Sequence, residues 1–346
     1  MTRPTLHQVA AAAGVSLASA SRALSGGTAS PRTVAKVRDA ARELGYVPHS
    51  TARALRTGAR RRVTFAVDDI GNPNYVAMLR SIEEVMGQEG PTVAVASTGG
   101  LERTAELVRR EALAADGMIL SPLRVNTKLL RAIDESPIPI VVIGSLGDDP
   151  PTDVVRVDSA HGIGMAVEHV VGRGRRNIVF LNGPVDTNPG SARENGFFRA
   201  VRELGLDENR CGQVFAEDFT VAAGCDTASR LFSRWSASER WSRPDAIVAA
   251  NDLLAIGAMN AAFEAGLQVP RDLVVTGVDD TELAAAYNPS LTSVSLFAAE
   301  RGRVAARLLL ERFEDPGRAV ETVCVTPNLV IRRSTDAVVE KAVIAS

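Results

Sequence analysis

Cysteine is scarce in this chain of 346 residues: there are three, Cys211, Cys225 and Cys324. They lie far apart, are odd in number and form no C-x-x-C pair, which suggests neither a disulfide framework nor a zinc site. Buried free thiols in a reducing cytoplasm are expected instead. Histidine is nearly as rare. His7 and His49 fall in the first sixty residues, and His161 and His169 bracket one helix without metal-ligand spacing. The chain lacks G-x-S-x-G, lacks a phosphate-binding P-loop and lacks G-x-G-x-x-G after a strand. GRGRRN at 172–177 precedes a strand and reads as a helix-to-strand loop. No catalysis, cofactor or metal is expected. No apolar run approaches the roughly 20 residues that span a membrane. The short Ala10–Ala13 run sits among Thr, His and Gln, and is no signal peptide. A cytoplasmic protein is the expectation.

What is present is a core-forming composition, 45% apolar and 23% charged, in a length comfortable for two or three domains. The net charge of −2 conceals a division. Residues 1–62 hold eleven Lys and Arg against Asp39 and Glu43, a surplus of nine positive charges, so the remainder carries a surplus of eleven negative ones. A basic head on an acidic body suits a module that neutralises phosphates, attached to one that does not.

Within that head, TLHQVAAAAGVSLASASRAL (5–24) reads as two short helices around a tight turn. Thr5 can cap the first, with Gln8 reciprocating. Leu6, Val9, Ala10 and Ala13 share one face. Gly14 permits the turn, and Ser16 caps the second helix. There Ala20, Ala23 and Leu24 can face inward while Leu17, Ala18, Ser21 and Arg22 point out. This suits a helix-turn-helix whose second helix enters the major groove; on this stretch alone an ordinary αα-hairpin fits equally well. Ser30-Pro31 starts a third helix, with Val34, Val37, Ala41 and Leu44 as its apolar stripe and Gly45 at its end.

Three such helices, followed by Pro48 and an Ala/Arg-rich segment, resemble the headpiece of the LacI/GalR family of bacterial repressors. The matching stretches are TLHQVAAAAGVSLASASRALSG and VAKVRDAARELGYVPHSTARALRTG. By itself STARALRTG (50–58) is too short for an isolated helix and reads as a linker. The resemblance implies a hinge helix that orders on operator DNA. Arg53 and Leu55 stand in its A-R-x-L segment, with Leu55 as the wedge into the minor groove.

From Arg62 the pattern becomes alternating apolar strands and helices. Strands are expected at 63–67, 92–97, 117–120, 138–144, 177–183, 212–216, 246–251 and 273–280. Helices are expected at 77–87, 102–115, 158–171, 191–204, 220–234 and 252–265. Such alternation implies parallel sheets with right-handed crossovers. The rhythm restarts near residue 160, which predicts two doubly wound parallel-sheet subdomains and a cleft. The resemblance implies a periplasmic-binding-protein-like core with crossings near 160, 291 and 323. The expected organisation is therefore an all-α helix-turn-helix headpiece at 1–49 and a hinge at 50–61. Residues 62–160 with 292–323 would form one α/β subdomain, and 161–291 with 324–340 the other.

Ligands bind at the carboxyl ends of strands in open α/β sheets, so the segments after strands hold the candidates. DDIGNPNY (68–75) resembles the family's cleft loop, with Asn72 and Tyr75 as contacts; Asn-Pro is also ordinary turn chemistry. GPVDTNPGSARENGFF (183–198) matches a family segment that places Arg193 as the effector-binding arginine. Asn251 can donate and accept to a hydroxyl, while Asp252 can cap the next helix. Asp279 of LVVTGVDD carries over as the hydrogen-bond acceptor, and Phe219 as an aromatic that packs on the ligand. Phe297 stands in the wall segment Ser293–Phe297, where Leu-Phe replaces a frequent Gln-Pro and predicts a more apolar wall. Ile143-Gly144-Ser145 stands where a charged residue often follows the fourth strand. In the recognition helix, Ala18 can meet a thymine methyl and Arg22 can read guanine.

The resulting expectation is a homodimeric, ligand-responsive repressor of a carbohydrate-utilisation operon, released from a pseudo-palindromic operator by a small sugar-like effector. A co-repressor-dependent regulator answering a nucleobase or another metabolite uses the same linkage. A periplasmic solute-binding protein shares the core, but lacks use for a basic helix-turn-helix. Only eleven residues follow PNLVIRRST (327–335), too few for several heptads, which predicts a dimer rather than a tetramer.

Overall fold

The computed structural model describes residues 6–25, 30–44, 61–87, 90–236 and 243–336. Thr5, Gly45, Arg53 and Leu55 lie outside the described residues, as do the side chains of Ser21, Arg22 and Leu24. The chain divides into two compact units, 1–61 and 62–346.

The first unit holds helices α1 (Leu6–Ala12), α2 (Leu17–Ser25) and α3 (Pro31–Glu43). Gly14, at φ +64°, makes the turn between α1 and α2 in a conformation other residues resist. Ser16 Oγ accepts from the amide of Ser19 at 3.1 Å, and Ser30 Oγ from that of Thr33 at 3.2 Å, so both expected caps form. Val9, Ala10, Ala13, Ala20, Ala23, Val37, Ala40 and Ala41 make one small core, with Val15 and Val34 against it. Leu44, assigned to the α3 stripe, is instead exposed: it follows the helix and escapes its periodicity. Ser16, Leu17 and Ala18 are exposed at the start of α2, as the expected DNA-facing surface requires.

The second unit contains two six-stranded sheets. The first runs β11 (Thr322–Val325), β5 (Asp153–Val157), β4 (Ile140–Ile143), β3 (Gly117–Ser121), β1 (Arg62–Val67), β2 (Thr92–Ser97), all parallel. The second runs β12 (Asn328–Val330), β10 (Thr292–Ser295), β9 (Val274–Val278), β8 (Ala246–Ala249), β6 (Ile178–Asn182), β7 (Cys211–Phe215). It is parallel except for β12, which pairs antiparallel with β10.

Around the first sheet lie α4 (Pro73–Met86), α5 (Leu101–Glu111), α6 (Thr127–Asp134) and α12 (Ala298–Glu314). Around the second lie α7 (Ser159–Gly172), α8 (Asn188–Glu203), α9 (Val221–Ser236), α10 (Asp252–Glu264) and the short α11 (Glu282–Ala286). Interior strands such as β4 (IVVI) and β8 (AIVA) are unbroken apolar runs because both faces are covered. Phe180 and Phe197 stack at 5.1 Å in the second core. Gly224 and Gly257 let α9 and α10 meet backbone to backbone: a Cβ on Gly224 would stand 2.5 Å from the carbonyl oxygen of Leu254.

The chain crosses between sheets three times. The first crossing follows β5, near the residue expected. The second was expected near 291, yet β10 (292–295) still pairs with β9 in the second sheet, so the crossing falls at 296–297. The third follows β11 and falls at 326–327 rather than 323, since β11 pairs with β5. Helices α6, α11 and α12 and strands β5 and β10 to β12 had no counterpart in the sequence pattern: they are short, or, like α12, carry arginines on the buried face.

Candidate functional site: the cleft between the sheets

Each sheet reverses its strand order once, between β1 and β3 in the first and between β6 and β8 in the second. These are the switch points where the loops after neighbouring strands part and leave a crevice. Asp68, Ser121, Gly183, Asn251 and Asp279 all lie at or just past carboxyl ends of strands. Two adjoining cavities occupy the crevice. The larger, about 480 Å³, includes Ser121, Ser145, Arg156, Arg193 and Arg301 in its lining. The smaller, about 290 Å³, includes Asp68, Asn72, Phe219, Asn251 and Asp279. Tyr75 and Arg193 line both.

Arg193 is held by α8, whose cap is Thr187, Oγ1 accepting from the Gly190 amide at 3.1 Å. Its guanidinium is buried, and Nη1 donates to the carbonyl of Ala250 at 2.8 Å. Nη2 stands 3.9 Å from Asp279 Oδ1, too far for a hydrogen bond. Arg193 Nε and Asp279 Oδ1 are both buried without a hydrogen-bond partner among the described residues. Burial pulls the Arg193 pKa down, opposed by Asp279; burial pushes that of Asp279 up, opposed by Arg193 and Arg301. Asp279 also sits at φ +110°, a conformation that costs an aspartate on the order of 1–3 kcal/mol. Its amide donates to Val294 at 2.9 Å, and the amide of Asp280 donates to Ser293 Oγ at 2.9 Å, which holds the kink.

Tyr75 is buried at the start of α4. Burial, then the charges of Asp279 and Asp68, push its hydroxyl up to about 12, against a hydrogen bond with Ser121. Asn72 caps α4 by accepting from the Asn74 amide at 3.0 Å, while its residue still lines the smaller cavity. Asn251 is more committed than the sequence suggested. Its Oδ1 caps α10 through Leu254 at 2.8 Å, and Nδ2 donates to the carbonyl of Phe219 at 3.1 Å. Phe219 is half-buried and packs so closely on Gly183 that a Cβ there would be 2.4 Å from its ring.

Four expectations need correction. Asp252 does not cap α10; Asn251 does, which frees the Asp252 carboxylate to accept from Thr281 and Ser293 in the core. Phe297 is 41% exposed and lines neither cavity, because its left-handed backbone at the start of α12 turns the ring outward. The wall near it is only partly apolar: Leu296 faces the larger cavity, and beside it stands the buried guanidinium of Arg301. Cys211 is buried as expected, but Cys225 is half-buried and Cys324 exposed, the last lining the larger cavity.

Arg301 escaped the sequence reading altogether. Its Nε donates to the carbonyl of Leu296 at 2.8 Å and Nη2 reaches Asn74 Oδ1 at 3.5 Å. Burial first, then Arg193, lowers its pKa to about 10 against the pull of Asp279. The available signal was helical period: Ala298, Arg301, Ala305 and Leu308 share the inward stripe of α12.

A rim contact was also missed. Arg124, after β3, grips Asp186, after β6, through Nε at 2.7 Å and Nη2 at 3.0 Å. Next to it, the Asn188 amide donates to the Leu123 carbonyl at 2.7 Å, and its side-chain Nδ2 donates to the backbone carbonyl of Ser145 at 3.0 Å. His169 bonds Thr335 at 2.8 Å and is lowered by burial, a structural role. Among the described residues, no cluster of His, Cys, Asp or Glu could hold a metal, and no helix is long and apolar enough to cross a membrane.

Known proteins divide the chain along the same lines. Residues 5–49 match the bacterial regulatory proteins of the lacI family, and 167–335 match a periplasmic binding protein-like domain. The HTH-type transcriptional regulator DegA of Bacillus subtilis (strain 168) is 31% identical over 343 residues, 96% of this chain and 98% of DegA. The ribose operon repressor of Escherichia coli (strain K12) is 28% identical over 336 residues, 95% of this chain and 99% of its own. Among solved structures, a complex of the transcriptional regulator CelR with cellobiose is 29% identical, with a TM-score of 0.69 over 96% of this chain and 100% of that one.

A helix-turn-helix unit and a two-sheet core with a polar cleft define a DNA-binding transcriptional regulator that carries its own ligand pocket. The chain belongs to the lacI family, whose members here are regulators and not enzymes.

Proposed function

We propose that this regulator is a repressor that binds a pseudo-palindromic operator as a homodimer and is released by a small polyhydroxylated effector held in the cleft. One observation carries the ligand half of the reading. Arg193 Nε and Asp279 Oδ1 are buried and unpartnered among the described residues, on two side chains that line the smaller cavity and approach to 3.9 Å between Nη2 and Oδ1. Unpaired buried polar atoms are costly to leave unmade, and a hydroxyl satisfies both at once by accepting from the guanidinium and donating to the carboxylate. Tyr75, Asn72, Asn251 and Phe219 complete the wall, and the site binds rather than catalyses. That the ribose operon repressor bears a sugar in its name and CelR was solved with cellobiose supports a carbohydrate.

The DNA half rests on Thr5, Ser16, Leu17, Ala18, Ser21 and Arg22 of the helix-turn-helix, with Arg53 and Leu55 in the hinge. Effector and operator are linked only through different effector affinity in the DNA-bound and released states. The test is a thermal-shift screen of sugars, sugar derivatives and nucleobases, followed by operator release with each hit. A ligand at 100 times its dissociation constant adds about 2.7 kcal/mol. Arg193→Ala is expected to lose both the shift and the release while keeping operator affinity. A hit that strengthens operator binding would instead make the protein co-repressor-dependent.

A further inference from the structure

The two lobes of the cleft differ in charge. The smaller is lined by Asp68, Asp69, Glu217, Asp218 and Asp279 against Arg124 and Arg193, and Arg124 is held by Asp186. The larger is lined by Arg156, Arg193 and Arg301 against Asp158 alone among the described residues. That carboxylate is occupied in capping α7, accepting from the His161 amide at 2.8 Å. The first residues of α7, Ser159 and Ala160, and of α8, Asn188 and Pro189, line the same lobe, so two helix N-termini add positive potential to it.

Arg301 is 7% exposed, and no carboxylate of the described residues lies within ion-pair distance of it. A guanidinium has five donors; here Nε meets a backbone carbonyl and Nη2 a distant amide oxygen. The single carboxylate nearest both arginines, Asp279, already stands closer to Arg193 and lines the other lobe. Asp252, behind it, is engaged by Thr281 and Ser293. Two buried guanidinia thus share one carboxylate, and a neutral sugar would leave that imbalance in place.

We infer that the effector carries an anionic group, a carboxylate or phosphate on a polyhydroxylated body, which Arg301 and Arg193 receive in the larger lobe while its hydroxyls turn toward Asp279. This deepens the effector reading of the same cleft and rests on it. A planar, fixed fork on a rigid helix suits either anion.

The test is calorimetry on the full chain with aldonates, uronates and sugar phosphates, each against its neutral parent sugar. An acid is expected to bind about tenfold or more tighter than its parent, since hydrogen bonds to charged groups add that much. Aldonates and uronates against phosphates tell which anion is read. Arg301→Met should erase the preference while leaving operator affinity and the thermal unfolding temperature near wild type. Arg301→Lys, which keeps the charge and loses the fork, should retain only part of it and carries the test if the Met variant fails to fold. A neutral sugar that binds as tightly as its acid and releases operator overturns the anionic assignment and leaves the effector reading standing. Failure of every polyol, neutral or anionic, to bind overturns both.

Discussion

The carboxyl of Asp252 is buried behind the cleft with three hydrogen-bond donors around it, and still its pKa is raised to about 7, by burial first and then by Asp279. Between the unfolded value near 4 and about 7, the folded chain holds a proton that the unfolded chain has released. Stability from this group is therefore present at low pH and is lost as pH rises through the folded pKa. Asp279, also raised by burial, acts in the same direction. Denaturant unfolding should show Asp252→Asn flattening the decline in stability between pH 5 and 7.5 relative to wild type; parallel curves would show that the carboxyl titrates normally. At this scale the segments after strands were legible in the sequence, and the family resemblance singled out Arg193, Asp279, Tyr75 and Asn72 within them. It misread Asp252, because adjacent Asn251 and Asp252 are both able to cap a helix, and only the fold decides which one does.

Elements carry two further expectations. Helices α9 and α10 touch at Gly224 and Gly257, where the neighbouring atoms are backbone and cannot rotate away. Gly224→Ala must push the helices apart, at a cost of about 1–3 kcal/mol, visible as a lowered unfolding midpoint of the core; an unchanged midpoint would mean that the pair is not in contact. The cleft rim is the second case. Arg124 and Asp186 are partly exposed, so their bidentate pair contributes on the order of 0–1 kcal/mol to holding the lobes together. Asp186→Ala should speed hydrogen exchange of the Asn188 amide, which bonds Leu123 across the rim, by a few-fold, and added salt should mimic the change. Neither contact was visible in the pattern of residues, since Gly224 reads as a weak helix position and Arg124 as a loop charge.

For the whole molecule, the basic first sixty residues and the acidic remainder assign separate tasks to separate units. Leu55→Ala is expected to reduce operator affinity and DNA bending while effector binding is kept, because an apolar wedge offsets unstacking with the contacts that a bent duplex allows. Bending measured by fluorescence energy transfer across the operator decides it, and an unchanged angle would remove Leu55 from the hinge.

The sequence by itself determined two short helices about a tight turn and a third after them, through Gly14, Ser16, Ser30 and the apolar stripe of each helix, because turns, caps and amphipathic stripes are local; that these form a helix-turn-helix came with the family resemblance. It also determined that two parallel sheets follow, because strands covered on both faces read as unbroken apolar runs. Only the tertiary structure decided where the chain crosses between sheets, since β10 and β11 are four residues each and take their sheet from distant partners. It likewise decided that Phe297 turns away from the cleft while Arg301, four residues on, turns in. That choice depends on one left-handed residue at the start of α12, and on where the other lobe stands when the helix begins.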